Sequence, residues 1–274
     1  MTRSKSLLMD DEEKRAVKQF WEMFPCELQY APKPYGKATR ELFDYLEKER
    51  YDKQAPFLHS FIQFTRWYGK SVLEIGVGVG TDFTQMVRAG ARAIAVDLTV
   101  ASAELVRDRL KIYSLEADVI VADAENLPFR SEAFDFIYSI GVIHHSPKPE
   151  DIVGEIFRTL KNRGEIRLAV YNRYSGAVYR YYLKYALLKG KPLTSLSKVL
   201  SENIESKGTK AYTGSELRKM FSAFSELRLR RVLLDGERRT FGKIFGLSAF
   251  GRILPNRLAS FWFIEASKES SGSV

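Results

Sequence analysis

A single cysteine, Cys26, stands among the 274 residues, so no disulfide can form within the chain. Histidine is nearly as scarce, with three residues, and no Cys and His spacing suggests a metal site. No apolar run approaches the roughly 18 to 20 residues that a membrane-spanning helix needs, which leaves only peripheral contact with a bilayer. No charged-then-apolar leader precedes the patterned region, and the expected location is therefore the cytoplasm. Low-complexity tracts and internal repeats are also missing.

What remains is ordinary globular composition, 45% hydrophobic and 28% charged. The net charge of +9 is distributed unevenly. From Arg173 to Val274 there are 19 Lys plus Arg against 8 Asp plus Glu, whereas the preceding residues are slightly acidic. A basic C-terminal third suits an anionic substrate, an anionic membrane surface or a nucleic acid backbone, and equally a solvated surface with no partner.

Along the chain four parts follow one another. Residues 1–68 are aromatic-rich and helical in pattern, broken by Pro25, Pro32, Pro34 and Pro56, which predicts several short helices forming a cap, with loose residues before Asp11. Residues 69–172 alternate apolar runs at Ser71–Ile75, Ala93–Asp97, Val119–Ala122, Phe134–Ile140 and Glu165–Tyr171 with helical stretches at Thr81–Ala89, Val100–Tyr113 and Pro149–Leu160. That alternation predicts a doubly wound, mostly parallel α/β sheet. Residues 173–223 form a basic helical insertion, in which Thr213 and Glu216 have capping-box spacing. Residues 224–274 hold two late apolar stretches that would complete a sheet of seven strands, followed by a frayed tail.

The most specific segment is Val72-Leu73-Glu74-Ile75-Gly76-Val77-Gly78-Val79-Gly80-Thr81. A strand, a glycine loop and a helix start come in that order, so backbone N–H groups and a helix N-terminus can meet an anionic ligand. The usual dinucleotide fingerprint would require glycine where Thr81 stands. Asp97 ends the second strand, where a carboxylate can accept hydrogen bonds from both hydroxyls of a ribose. A third strand then runs into Asp123-Ala124-Glu125, and a fourth ends near Ser139.

Together these positions resemble the class I S-adenosylmethionine-dependent methyltransferases of small-molecule type, and the likeness continues through Ile143-His144-His145-Ser146-Pro147 to Tyr171. The resemblance implies a Rossmann-like fold with S-adenosyl-L-methionine as cofactor. It implies Glu74, Gly76, Gly78 and Gly80 as the cofactor loop, Asp97 as the ribose acid and Asp123 as the acid near the adenine amino group, with Leu98, Ala124 and Ser139 beside them. Asn162-Arg163-Gly164 departs from the family's Pro-Gly-Gly turn.

On the acceptor side the strand ends select His144 and His145 as candidate bases, or as residues that orient their loop. Tyr171, Arg173 and Tyr51 are candidate acceptor contacts, with Arg173 either an anion clamp or a surface ion pair. Trp21, Tyr30 and Tyr35 are further aromatics of the cap. Cys26 reads as a structural cysteine. The leading expectation is methyl transfer to a small or lipid-like acceptor at oxygen, nitrogen or carbon. RNA methylation is the runner-up, although Ser139-Ile140-Gly141-Val142 stands where enzymes that methylate base amino groups carry a Pro-Pro-aromatic run, and a cofactor-binding protein without turnover is the third reading. The stretch Tyr174–Leu193 has the composition of an interfacial helix for an anionic membrane, with Val178, Leu183, Ala186 and Leu187 as its apolar side, and equally of a helix that packs that side on the sheet or over the acceptor pocket, which the need for burial after a fifth strand favours.

Overall fold

The computed structural model describes residues 2–32, 38–234, 237–238 and 256–269, with side chains from 12 onward. Pro34, Tyr35 and the tail beyond Glu269 lie outside the described residues. Seven strands form one sheet: β1 (Ser71–Ile75), β2 (Arg92–Asp97), β3 (Asp118–Val121), β4 (Phe134–Ile140), β5 (Leu160–Tyr171), β6 (Ser225–Arg231) and β7 (Phe261–Ser267), in the order β3-β2-β1-β4-β5-β7-β6. The first five pair in parallel, and β7 runs antiparallel to both β5 and β6. Consecutive residues of the central strands are apolar because both faces are covered. Val72 and Phe136 enter the core on one face, while Leu73, Ile75 and Ile137 enter the core on the other.

Crossover helices α4 (Thr81–Arg88), α5 (Val100–Ile112) and α6 (Pro149–Thr159) match the expected stretches within a residue. Two differences have simple causes. The N-terminal part opens with one long helix, α1 (Thr2–Met23), because no proline or glycine interrupts the chain before Pro25. Strand β5 starts at Leu160, five residues early: Arg163 at φ 61 forms an irregularity, and its N–H bonds Lys268 O at 2.8 Å, so the departure from Pro-Gly-Gly continues the sheet.

Beyond α1 the cap comprises α2 (Arg40–Lys48), a helical turn at Glu49–Gln54 and α3 (Leu58–Ile62). It packs through Leu58, Phe61, Ile62 and Trp67, whose ring stacks on Phe136 with centroids 4.0 Å apart. A buried charge cluster fixes it further. Arg50 binds Asp82, the second residue of α4, with two guanidinium nitrogens, while the Tyr51 and Tyr138 hydroxyls donate to the same carboxylate. Arg50 also pairs with Glu27. Burial works against the Asp82 charge, but Arg50 and the tyrosine hydroxyls hold its carboxyl below the usual value. Neighbouring Glu74 is pushed far above its usual value by burial and by the Asp82 charge.

After β5 the chain forms α7 (Gly176–Tyr185), α8 (Leu196–Asn203) and α9 (Gly214–Met220). The capping box is present, with the Glu216 N–H on Thr213 Oγ1 and the Thr213 N–H on the Glu216 carboxylate. Among the described residues no helix is long and apolar enough to cross a membrane.

Removing Arg50 while leaving Asp82 charged and buried is expected to be severe. Arg50→Met should cost about 3–5 kcal/mol, and adding Asp82→Asn should return part of that loss. Urea unfolding of the single and double variants measures both effects.

Candidate active site

Two cavities meet at the carboxyl ends of the parallel strands. The first, about 120 Å³, is lined by Gly76 and Gly78, by Asp97, Leu98 and Thr99 after β2, by Asp123 and Ala124 after β3, and by Gly141, Val142 and His145 after β4. Its roof is α1, which contributes Lys14, Val17 and Trp21. The second, about 220 Å³, lies between the cap and the sheet, with Leu46, Arg50, Leu58, Tyr171, Glu205, Phe261 and Phe263 among its walls. Trp21, Cys26, Ile140 and Gly141 line both.

The glycine loop leaves no room for side chains. Gly76 has φ 74, and a Cβ there would lie 2.2 Å from a Val142 methyl. Gly78 has φ 55, and a Cβ there would meet Cys26 Cβ at 3.3 Å. Asp97 accepts from the Gly78 N–H at 3.2 Å and from the Thr99 N–H and hydroxyl at 2.9 and 2.8 Å, so its carboxylate is aimed at the loop. Burial nevertheless raises the Asp97 carboxyl above its usual value. Asp123 takes Lys14 Nζ at 2.6 Å, and Lys14 also pairs with Glu125. Glu22 accepts from the N–H groups of Val100 and Ala101, fastening α1 to the start of α5.

Not every predicted residue reaches a cavity. Glu74 is buried beside Asp82, Gly80 caps α4 against Val106, and the Ser139 hydroxyl donates to Ile75 O at 2.9 Å inside the sheet. Tyr51 spends its hydroxyl on Asp82 at 2.6 Å instead of facing an acceptor. Arg173 holds the Ala211 carbonyl and pairs with Glu216 at 2.9 Å, which is the ion-pair alternative to an anion clamp.

The two histidines differ from each other. His144 is fully buried, its ring tilted by 41° against that of Tyr171 with centroids 4.0 Å apart, and neither ring nitrogen has a hydrogen-bond partner among the described residues. Burial drives its basicity well below the usual value, so it stays neutral and packs. His145 lines the first cavity, but both of its nitrogens are engaged: Nδ1 lies 3.0 Å from the Thr209 and Ser206 hydroxyls, and Nε2 lies 3.2 Å from Glu205. Held by Ser206, Thr209 and Glu205, His145 ties its turn to the 205–210 loop, whereas the His144 nitrogens have no hydrogen-bond partner among the described residues.

The carboxylate facing the second cavity is Glu205, which sequence reasoning missed. It has φ 51, and its loop is pinned to the His144–Ser146 turn by Lys210, whose N–H bonds His144 O and whose Nζ bonds Ser146 O, each at 2.8 Å. Tyr171 donates to Glu205 at 2.9 Å. Burial opposes its charge, but the bonds from His145 and Tyr171 hold the carboxyl below its usual value. His144, His145 and Glu205 are the described residues whose ligand-type atoms gather, within 4.8 Å. Two of the three already bond each other, so the set is closed by its own hydrogen bonds.

Residues 73–168 match the family model described as a methyltransferase domain. The chain carries a class I methyltransferase domain. It is 32% identical to the methyltransferase GfsG of Streptomyces halstedii over 104 residues, 37% of each chain. The first curated relatives, GfsG among them, are thus matched over 18 to 37% of their length. A demethylmenaquinone methyltransferase of Tropheryma whipplei is 25% identical over 62% of this chain and 79% of its own. Among solved structures, a phosphoethanolamine N-methyltransferase 2 of Haemonchus contortus superposes with a TM-score of 0.61 at 17% identity, over 93% of this chain and 60% of that one, a likeness of fold. The antiparallel β7 insertion between β5 and β6 and the strand order complete that fold.

Cys26, expected as a structural cysteine, lines both cavities and lies against Gly78. Protein nonetheless surrounds it closely, and that burial, reinforced by Glu27 and Glu205, pushes its thiol up to about 12. Alkylation by iodoacetamide at pH 8 should therefore run about a thousandfold slower than that of a free thiol, and the rate should keep climbing beyond pH 10. Mass spectrometry of the single adduct measures it.

Proposed function

We propose that this chain transfers a methyl group from S-adenosyl-L-methionine to a small or lipid-like acceptor at oxygen, nitrogen or carbon. The observation that carries this reading is the shared wall: the cleft at the carboxyl ends of the parallel strands and an apolar cavity meet across Trp21, Cys26, Ile140 and Gly141. The residues fit the cofactor. Gly76 and Gly78 line the cleft with bare backbone, Asp97 would take the ribose hydroxyls, and Asp123, shared with Lys14, would lie near the adenine. S-adenosyl-L-methionine supplies a methyl on a positively charged sulfur that leaves as a neutral thioether.

The chain's own work is to position the acceptor, exclude water and remove a proton where the acceptor bears one. Phe261, Phe263, Leu46, Leu58 and Tyr171 favour an apolar body. The same cavity carries Glu27, Glu49 and Glu205, and its Arg50 is already paired, so a neutral or cationic acceptor fits better than an anionic one. Glu205, charged and held by His145 and Tyr171, is suited to receive the proton released when an O–H or N–H is methylated. The name of the demethylmenaquinone relative points to an apolar acceptor as well. An RNA acceptor gains no support from a cavity walled by the cap, and a cytoplasmic setting remains part of the proposal.

Calorimetry with S-adenosylhomocysteine tests the first half. Asp97→Ala should weaken binding at least tenfold, the scale of one charge-assisted hydrogen bond, whereas Glu74→Gln should change it little because Glu74 lies off the cavity. Wild-type protein that is folded yet binds no cofactor would overturn the proposal. Incorporation of labelled methyl into metabolite, lipid and RNA fractions tests the second half. Glu205→Gln should lower the turnover into the labelled fraction by about 10²–10⁴-fold with cofactor affinity unchanged, if a proton-bearing heteroatom is the acceptor.

A further inference from the structure

Helix α7 and the turn after it have two sides that differ in kind. Val178 and Ala186 face inward, and Val178 joins Leu200, Ile204 and Ala211 in a small satellite core. Outward point Tyr179, Leu183, Leu187, Leu188 and Leu193, exposed by 46, 48, 46, 76 and 99%. Single exposed leucines are common on soluble proteins, but a cluster of this kind is not. Arg180, Lys184, Lys189 and Lys191 are exposed among them, and the whole stretch from Arg173 to Ser201 contains six Lys and Arg and no Asp or Glu. The sequence pattern had assigned Val178 and Ala186 to the outer side; the structure replaces them with Leu188 and Leu193.

We propose that this face, Tyr179–Leu193, docks on an anionic lipid bilayer, with its leucines entering the headgroup boundary and its cations meeting lipid phosphates. Charge complementarity selects the partner: the uniform positive charge calls for a polyanion, and the protruding leucines call for a polyanion with an apolar layer beneath it. RNA would satisfy the cations and leave the leucines in water.

The placement has a consequence for the acceptor, which rests on the function proposed above. The opposite side of α7, at Ser175–Val178 and Tyr181, walls a third cavity. That cavity shares Tyr30, Gln54, Tyr171, Glu205, Leu234 and Phe261 with the acceptor cavity. A lipid-like acceptor leaving a docked bilayer would thus enter along α7 and arrive beside Glu205.

Co-sedimentation of the full chain with vesicles tests the docking without cofactor or acceptor, so its outcome is separate from that of any activity assay. With phosphatidylglycerol and phosphatidylcholine mixed at equal parts, wild type should pellet at low salt and be released progressively as salt rises. With pure phosphatidylcholine it should stay in the supernatant. Lys184→Gln, Lys189→Gln and Lys191→Gln together should lower the partition coefficient roughly a hundredfold, about fivefold for each cation. Leu187→Ser with Leu188→Ser should lower it as well, including at low salt, while circular dichroism and S-adenosylhomocysteine affinity stay at wild-type values. Failure of the wild type to pellet with anionic vesicles would overturn the proposal. So would a leucine double variant that pellets like wild type, or a 20-nucleotide RNA that binds the chain and is lost only in the lysine variant.

Discussion

The contact on which the site depends is the buried pair of Arg50 and Asp82. Asp82 opens α4 directly behind the glycine loop, and Arg50 belongs to the cap. Their bond, with Tyr51 and Tyr138 filling the remaining acceptor positions, decides where the cap stands over the carboxyl ends of the strands. Charge buried in this way contributes little net stability, since desolvation offsets most of the attraction. Its value is positional: an apolar seam would let the cap slide, whereas a carboxylate with this many fixed donors admits one placement. Both cavities inherit their shape from that placement, because Glu27, Leu46, Arg50 and Leu58 wall the second one and Cys26 reaches Gly78 in the first.

The division of charge over the molecule follows a related logic. The C-terminal third is strongly basic in sequence, yet the cavity it helps to close is lined by carboxylates. Positive charge lies outside, on α7 and its turn, where it can act on a surface at a distance. Negative charge lies inside, where Glu205 is held by Tyr171 and His145. Net charge therefore does not describe the interior, whose lining differs in sign from the outer face of α7.

Much of the fold was legible in the sequence because it rests on short-range rules. Five parallel strands and three crossover helices follow from apolar runs of strand length between helical periods, and the capping box at Thr213 and Glu216 was readable from spacing alone. The glycine loop and Asp97 were equally plain, since steric exclusion and a strand-end carboxylate leave a local signature. Glu205 left none. It acquires a role only because a loop 60 residues beyond His145 folds back onto the His144–Ser146 turn, a contact that no periodicity encodes. Lys14 was invisible for the same reason, lying 109 residues from Asp123. Conversely, Tyr51 and Arg173 had the right chemistry for acceptor contacts, but stronger partners, Asp82 and Glu216, were within reach.

Helix α1 roofs the first cavity and is tied down at two places, by Lys14 on Asp123 and Glu125 and by Glu22 on the first N–H groups of α5. A ligand entering the cavity from the α1 side would have to break both ties. Were the proposed cofactor exchanged by that route, the frequency with which the helix lifts would cap turnover however fast the chemistry beneath it. Because Trp21 of the same helix also walls the second cavity, a bound acceptor would slow the lifting, and spent cofactor would leave only after the acceptor side had emptied.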